Sequence, residues 1–216
     1  MLAAVPTALA ILLVAMTGFE LGSIPIANLV ARRYGVADLR AVGDRNPGFW
    51  NAFELLGLRR ALPIFGGDVA KGAAAAALGA ALARDGQWWM AALGTAAAMV
   101  GHAFPIFAGF RGGRSVLTFV GGACVFAPLT AATAAAVTAA TWVVTRRFDR
   151  SARLGIAAFP VVQLVTDGAE RTAVTGVLMT FIGLRFAQAA LRSRRATSTS
   201  DHATIGDASP RRSPGT

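Results

Sequence analysis

The chain carries little charge. Only 15% of its 216 residues are Asp, Glu, Lys or Arg, against about a quarter in a soluble domain. Hydrophobic residues make up 55% and mean hydropathy is +0.54, which argues against an ordinary soluble globule and for a membrane protein. Lysine is almost missing: of 21 basic residues, all but Lys71 are arginine. The net charge of +10 resembles a nucleic-acid footprint in size but not in distribution. The arginines fill short gaps between apolar runs, as in loops beside anionic headgroups, so no nucleic-acid partner is expected. Cys124 is the single cysteine, which excludes a disulfide framework and a clustered thiol metal site. Residues 1–19 have no basic start and no convincing cleavage site, and so read as the beginning of a first span.

What the chain has instead is a series of long apolar runs. A helix needs about 20 such residues to cross a bilayer, and 3–31, 61–83 and 88–107 qualify. The run 116–144 is interrupted by Gly121, Gly122 and Pro128, while 154–166 and 172–190 are separated by Asp167, Gly168 and Glu170. Splitting these regions gives an all-α integral membrane protein of seven short helices. Arg32, Arg33, Arg40, Arg45, Arg59 and Arg60 then share one side with Arg111, Arg114, the group Arg146 to Arg153, and Arg192, Arg194 and Arg195. Only Arg84 and Arg171 fall opposite. The positive-inside rule puts the N-terminus outside and the C-terminus in the cytoplasm, as in a multi-pass protein of the cytoplasmic (inner) membrane. Residues 1–192 form the transmembrane domain; residues 193–216, rich in Thr, Ser, Gly, Pro and Asp, read as a disordered polar and basic cytoplasmic tail. No internal repeat supports a transporter.

Two inward-facing loops carry the chemistry. In GHAFPIFAGFRGGRS, residues 101–115, the glycines Gly112 and Gly113 suit an amide nest for an anion. Arg111 and Arg114 flank them with guanidinium forks, and a helix starting near Ser115 adds its positive dipole end. The competing reading is a solvated arginine turn between spans. In the first loop, Asn46 and Asn51 surround the Pro47–Gly48 turn beside Arg40 and Arg45. Ser23, Pro25 and Asn28 sit late in the first span, where polar groups need partners. Asp68 and Lys71 lie one turn apart on one helix face, as a substrate contact or a self-neutralising pair. His102 is either a proton carrier or a packed histidine.

GSIPIANLV, DLRAVGDRNPGFWN, DVAKG and GHAFPIFAGFRGGRSVLT, in this order, resemble the bacterial membrane acyltransferases that use acyl phosphate and glycerol 3-phosphate. The resemblance covers nearly all of residues 20–190. It implies seven spans, a cytoplasm-facing site, and transfer of a fatty acyl group from acyl phosphate to sn-glycerol 3-phosphate, giving lysophosphatidic acid. No cofactor, metal or covalent serine intermediate is implied, and a monomer in the bilayer is expected. It assigns Asn46, Lys71, His102 and Arg114 as catalytic. Ser23, Arg45, Gly48, Asn51, Asp68, Gly112, Gly113, Ser115, Thr118 and Arg153 are assigned to substrate binding; Pro47, Gly72, Phe104 and Pro105 also match. The departures are Asp44 and Arg45 where the family has serine and glycine, Glu54 for an arginine, Arg114 for a lysine, Ser115 for a glycine and Arg153 for a serine. A late RHxxNI pattern survives only as Arg185. A carboxylate beside a bound phosphate needs a cation, so Arg45 or Arg153 is expected to pair with Asp44. An impaired relative that only binds an anionic lipid or phosphate, or an acyltransferase with another acceptor, is the alternative.

Overall fold

The structure is a computed structural model that describes residues 6–206. The described residues form helices joined by short turns. They are α1 (Thr7–Ser23), α2 (Ile26–Arg33), α3 (Phe49–Leu56), α4 (Leu58–Leu82), α5 (Trp89–Ala103), α6 (Val116–Phe126), α7 (Pro128–Thr145), α8 (Phe148–Thr166) and α9 (Gly168–Gly206), with 3-10 turns at Leu39–Ala41 and Ile106–Ala108. The first apolar run is broken at Ile24 and Pro25, because proline cannot donate to the preceding turn. The break in 116–144 falls at Ala127, and Pro128 opens α7 in the first helical turn, where its missing N–H is tolerated. α8 starts at Phe148, earlier than the expected 154. α9 continues to Gly206, so the boundary expected at 193 lies inside a helix. Residues 207–216 lie outside the described residues.

Four stretches are long and apolar enough to cross a membrane: Thr7–Arg33, Trp89–Ala108, Pro128–Thr145 and Gly168–Arg192. α6 is apolar but shorter; α4 carries Arg59 and Arg60 at its start and Asp68 and Lys71 near its middle, and α8 carries Arg150 and Arg153 near its start. The protein is therefore all-helical, with several membrane-length helices.

Inside a bilayer helices gain nothing from hydrophobic exclusion between themselves, so close backbone approach matters. α4 meets α6 through paired glycines. A Cβ on Gly72 would overlap the carbonyl oxygen of Thr118, and one on Gly121 would overlap that of Val69. α4 and α5 use Gly79 and Gly94 in the same way. α5, α6, α8 and α9 share a second core of Met99, Phe119, Ala123, Phe159 and Leu178. The short α2 and α3 close over α4 through Ala27, Ala31, Leu39, Ala52, Ala61 and Ile64. That packing fixes the first loop, residues 34–48, against the ends of α4 and α5.

Candidate active site

The first loop is built around Asn51. Its side chain, fully buried at 0% exposure, donates from Nδ2 to the carbonyls of Leu39, Val42 and Asn46 at 3.0, 3.0 and 3.1 Å. Its Oδ1 accepts from the Asp44 amide at 3.3 Å. Every polar atom of this amide is committed to the backbone, so Asn51 shapes the loop and does not offer a ligand contact. Gly48 is buried ahead of α3 and donates its N–H to the Asn46 carbonyl at 2.9 Å. Asp38 caps the 3-10 turn by accepting from the Arg40 amide at 2.9 Å. Its hydrogen bond with the Arg40 side chain holds the carboxyl below its ordinary range, against partial desolvation. Arg40 then reaches across to the second loop and donates to the Ala108 and Arg111 carbonyls at 2.8 and 3.2 Å.

The glycine turn differs from the expected nest. The N–H groups of Gly112 and Gly113 turn back to the carbonyls of Ala103 and His102, each at 3.1 Å. Both donors are spent on closing the end of α5, and neither glycine has a positive φ; the left-handed residues are Gly109, Phe110 and Ser115. The exposed sides of the two peptides are carbonyls, which Arg185 of α9 covers. Its Nη2 donates to Ala103, Gly112 and Gly113 at 3.3, 3.3 and 3.2 Å, and its guanidinium lies 4.8 Å from the Phe104 ring centre. Ser115 precedes α6 but its Oγ donates to the Met99 carbonyl at 2.7 Å.

Beneath the turn lies a small cleft of about 20 Å³, room for about one water. Asp68, Lys71, His102, Gly112 and Gly113 line it with Asn28 and Pro47. Asp68 Oδ1 stands 2.8 Å from Lys71 Nζ and 3.5 Å from His102 Nδ1. Lys71 also reaches the Ile24 carbonyl freed by the α1–α2 break, at 3.4 Å. With Nδ1 turned to the carboxylate, His102 presents Nε2 towards Gly113, where an added Cβ would collide with it.

A larger cavity of about 660 Å³ adjoins the cleft across Pro47, Arg111 and Gly112. Its wall holds Arg40, Arg45, Arg111, Arg114, Arg185 and Arg192, with Asp44, Asn46 and Gln188 among them. The volume lies within the roughly 300–1,000 Å³ of ordinary ligand pockets. The cation expected for Asp44 was Arg45 or Arg153; the structure supplies Arg114, whose Nη1 stands 3.0 Å from Asp44 Oδ2. Arg153 is exposed on α8 and lines neither space.

Of the residues named from sequence, Arg45, Asn46, Asp68, Lys71, His102, Gly112, Gly113 and Arg114 thus meet around two adjoining spaces. Ser23, Gly48, Asn51, Ser115, Thr118 and Arg153 do not line them. Ser23 and Thr118 are buried with hydroxyls that have no protein partner. Arg40 and Gln188 were missed as site residues, and Arg185 was noted without a role. Nothing in the sequence announced that Arg40 and Arg185 would bind backbone carbonyls of a loop about 70 residues or more away.

Comparison with known proteins bears on the family and the fold. The glycerol-3-phosphate acyltransferase family model matches residues 12–195. A glycerol-3-phosphate acyltransferase of Synechococcus sp. (strain JA-3-3Ab) is 44% identical over 54% of this chain and 56% of its own length. One of Jannaschia sp. (strain CCS1) is 34% identical over 83% of this chain and 87% of its own. The crystal structure of PlsY, an integral membrane glycerol 3-phosphate acyltransferase in its glycerol 3-phosphate form, superposes with a TM-score of 0.73 at 24% identity. It covers 86% of this chain and 92% of that one, and it shares the fold. By sequence and by fold, the chain belongs to the glycerol-3-phosphate acyltransferase family.

Proposed function

We propose that this protein is a membrane glycerol-3-phosphate acyltransferase that takes its acyl group from an acyl phosphate. The observation that carries the reading is the adjacency of the two spaces: an arginine-lined cavity suited to phosphates beside a buried Asp68–Lys71–His102 cluster. The acceptor's first hydroxyl attacks the acyl carbonyl carbon, a C–O bond forms, and the bond from carbonyl carbon to phosphate oxygen breaks. Inorganic phosphate leaves, and lysophosphatidic acid remains. The hydroxyl proton passes to His102 Nε2, whose ring Asp68 orients from the other side, an acid–base role that depends on reach before all else. Lys71 holds Asp68 in place at 2.8 Å. Asn46 at the cavity wall contacts the acceptor, and the cationic cavity gathers two anionic head groups side by side, which supplies proximity and offsets developing charge.

The acyl chain requires a lipid phase, and the long apolar helices supply the setting. α1 with α2, then α4 to α9, would make seven passes, the polar site would face the cytoplasm, and the protein would work as a monomer in the cytoplasmic membrane. The test uses the purified full chain in lipid vesicles with palmitoyl phosphate and glycerol 3-phosphate. Lysophosphatidic acid and phosphate should form in equal amounts, and palmitoyl coenzyme A should give neither. Absence of product with the acyl phosphate overturns the reading.

A further inference from the structure

The six arginines around the larger cavity divide into two groups by what their guanidinium groups already hold. Arg40 is bound to Asp38 through Nη2 at 2.8 Å and to two carbonyls of the second loop through Nη1. Arg185 is spread over three carbonyls and Gln188. Arg114 is held by Asp44 on one side and lies 4.6 Å from the Phe186 ring centre on the other, with Nε buried away from solvent. Asp44 is itself fixed, since Oδ1 accepts from the Asn46 amide at 3.0 Å and its own amide is bound to Asn51. These three side chains pin the first loop, the glycine turn and α9 together. Arg45, Arg111 and Arg192 line the same cavity and are without an acidic partner among the described residues.

Arg45 stands out further. Its φ is +58°, a left-handed conformation that disfavours a non-glycine residue. Arg45 is exposed and lines the cavity from a loop otherwise fastened by Asn51. Arg192 of α9 lines the same space.

We propose that Arg45 and Arg192 are the phosphate-binding residues of this site, and that Asp44 and Arg114 form a clasp in which the carboxylate occupies the guanidinium face a substrate phosphate would otherwise take. Arg114 is then a positioning residue: it closes the cavity wall between the two loops, and the phosphomonoester of the acceptor is gripped by Arg45 and Arg192. The inference rests on the proposed acceptor, a small phosphomonoester, and deepens it. It also explains how a carboxylate survives in an anion site: Asp44 is neutralised locally before any ligand arrives.

The experiment measures glycerol 3-phosphate and inorganic phosphate binding by calorimetry on the purified full-length protein, with steady-state KM and kcat beside it. Arg45→Gly and Arg192→Gln should each weaken glycerol 3-phosphate binding by about tenfold or more, the loss of one charge-assisted contact. Arg114→Gln alone should weaken that affinity, because it leaves the Asp44 carboxylate unpaired beside the phosphate, and should lower the thermal midpoint. Asp44→Asn should tighten phosphate binding, and the double variant Asp44→Asn/Arg114→Gln should lose that gain. Arg45→Asn, which also tolerates the left-handed backbone, replaces Arg45→Gly should the latter not fold. If the double variant Asp44→Asn/Arg114→Gln loses affinity as much as Arg45→Gly, and Asp44→Asn loses it too, Arg114 is a direct phosphate ligand held by Asp44 and the proposal is overturned. Absence of any binding by the wild-type protein also overturns it. Acyl transfer with KM unaltered in Arg45→Gly and Arg192→Gln removes this inference and leaves the enzyme assignment standing; binding without transfer does the reverse.

Discussion

His102 and Asn51 are both buried polar residues in or near the site, yet their surroundings give them opposite work. His102 has one ring nitrogen 3.5 Å from Asp68 and the other facing the small cleft, whereas Asn51 has spent its whole amide on four backbone groups. Replacing His102 by Gln keeps the volume and removes the proton acceptor. The expected outcome is a fall in kcat of about 100-fold or more, the range for losing a positioned acid–base group, with little change in thermal midpoint or in KM for glycerol 3-phosphate. Asn51→Ala strips the side-chain donor from three carbonyls that each keep one backbone N–H, and it takes from the Asp44 amide its acceptor, which costs about 1–3 kcal/mol for an unsatisfied group in a packed loop. Its thermal midpoint should therefore drop in a melting experiment, and kcat should follow only through loss of folded protein. The sequence made these two residues look alike, because polarity within an apolar neighbourhood marks both; only the hydrogen-bond partners separate a reacting group from a scaffold. The same blindness produced the amide nest. Gly112 and Gly113 between arginines matched the composition of an anion cradle, but the end of α5 at His102 and Ala103 needed donors, and the nearest amides went there.

Helices were legible where the signal was physical and local. Apolar length marked the first, second and third spans, and the proline in 116–144 marked the split into α6 and α7. The start of α8 was misplaced because Arg150 and Arg153 read as loop, although arginines extend readily from a helix end into an aqueous layer. Contacts between helices were not legible at all. The pairing of α4 with α6 depends on Gly72 and Gly121, each of which admits the other helix's backbone. Because the obstructing atoms are backbone carbonyls, no rotamer change can relieve Gly72→Ala, and the helices must part. Overpacking of this kind costs about 1–3 kcal/mol, and it also moves Asp68 and Lys71, on the same helix, relative to His102 of α5. Gly72→Ala should lower the melting temperature in detergent and reduce acyl transfer together. Gly66→Ala on the same helix is the control: nothing lies within 4 Å of its added methyl, so melting should be unchanged or raised, as alanine is the better helix former by about 1 kcal/mol. Equal destabilisation by both substitutions would mean that close α4–α6 packing is not what holds this pair.

At the scale of the whole molecule, charge distribution and site geometry make the same statement about orientation. The arginine-lined cavity lies at the end of the bundle that holds the first loop and the glycine turn. The opposite end holds Arg171, whose guanidinium lies 5.1 Å from the Trp88 ring centre and 3.8 Å from Asp167, together with Arg84 in the α4–α5 connection. The positive-inside rule predicts that the arginine-rich end stays in the cytoplasm, which would carry a site built from arginines to the inner face. The prediction is tested in cells by single cysteines placed in a Cys124→Ala background. Asp85→Cys, in the α4–α5 connection, should react with a membrane-impermeant maleimide on intact cells freed of any outer wall. Ala37→Cys, an exposed position in the first loop, should react only after the membrane is opened. Labelling in the reverse order would place the phosphate cavity outside, away from any cytoplasmic supply of phosphorylated acceptor, and would defeat the orientation while leaving the helix packing intact. Labelling of both positions on intact cells would show that the two connections share a face, which seven passes do not allow.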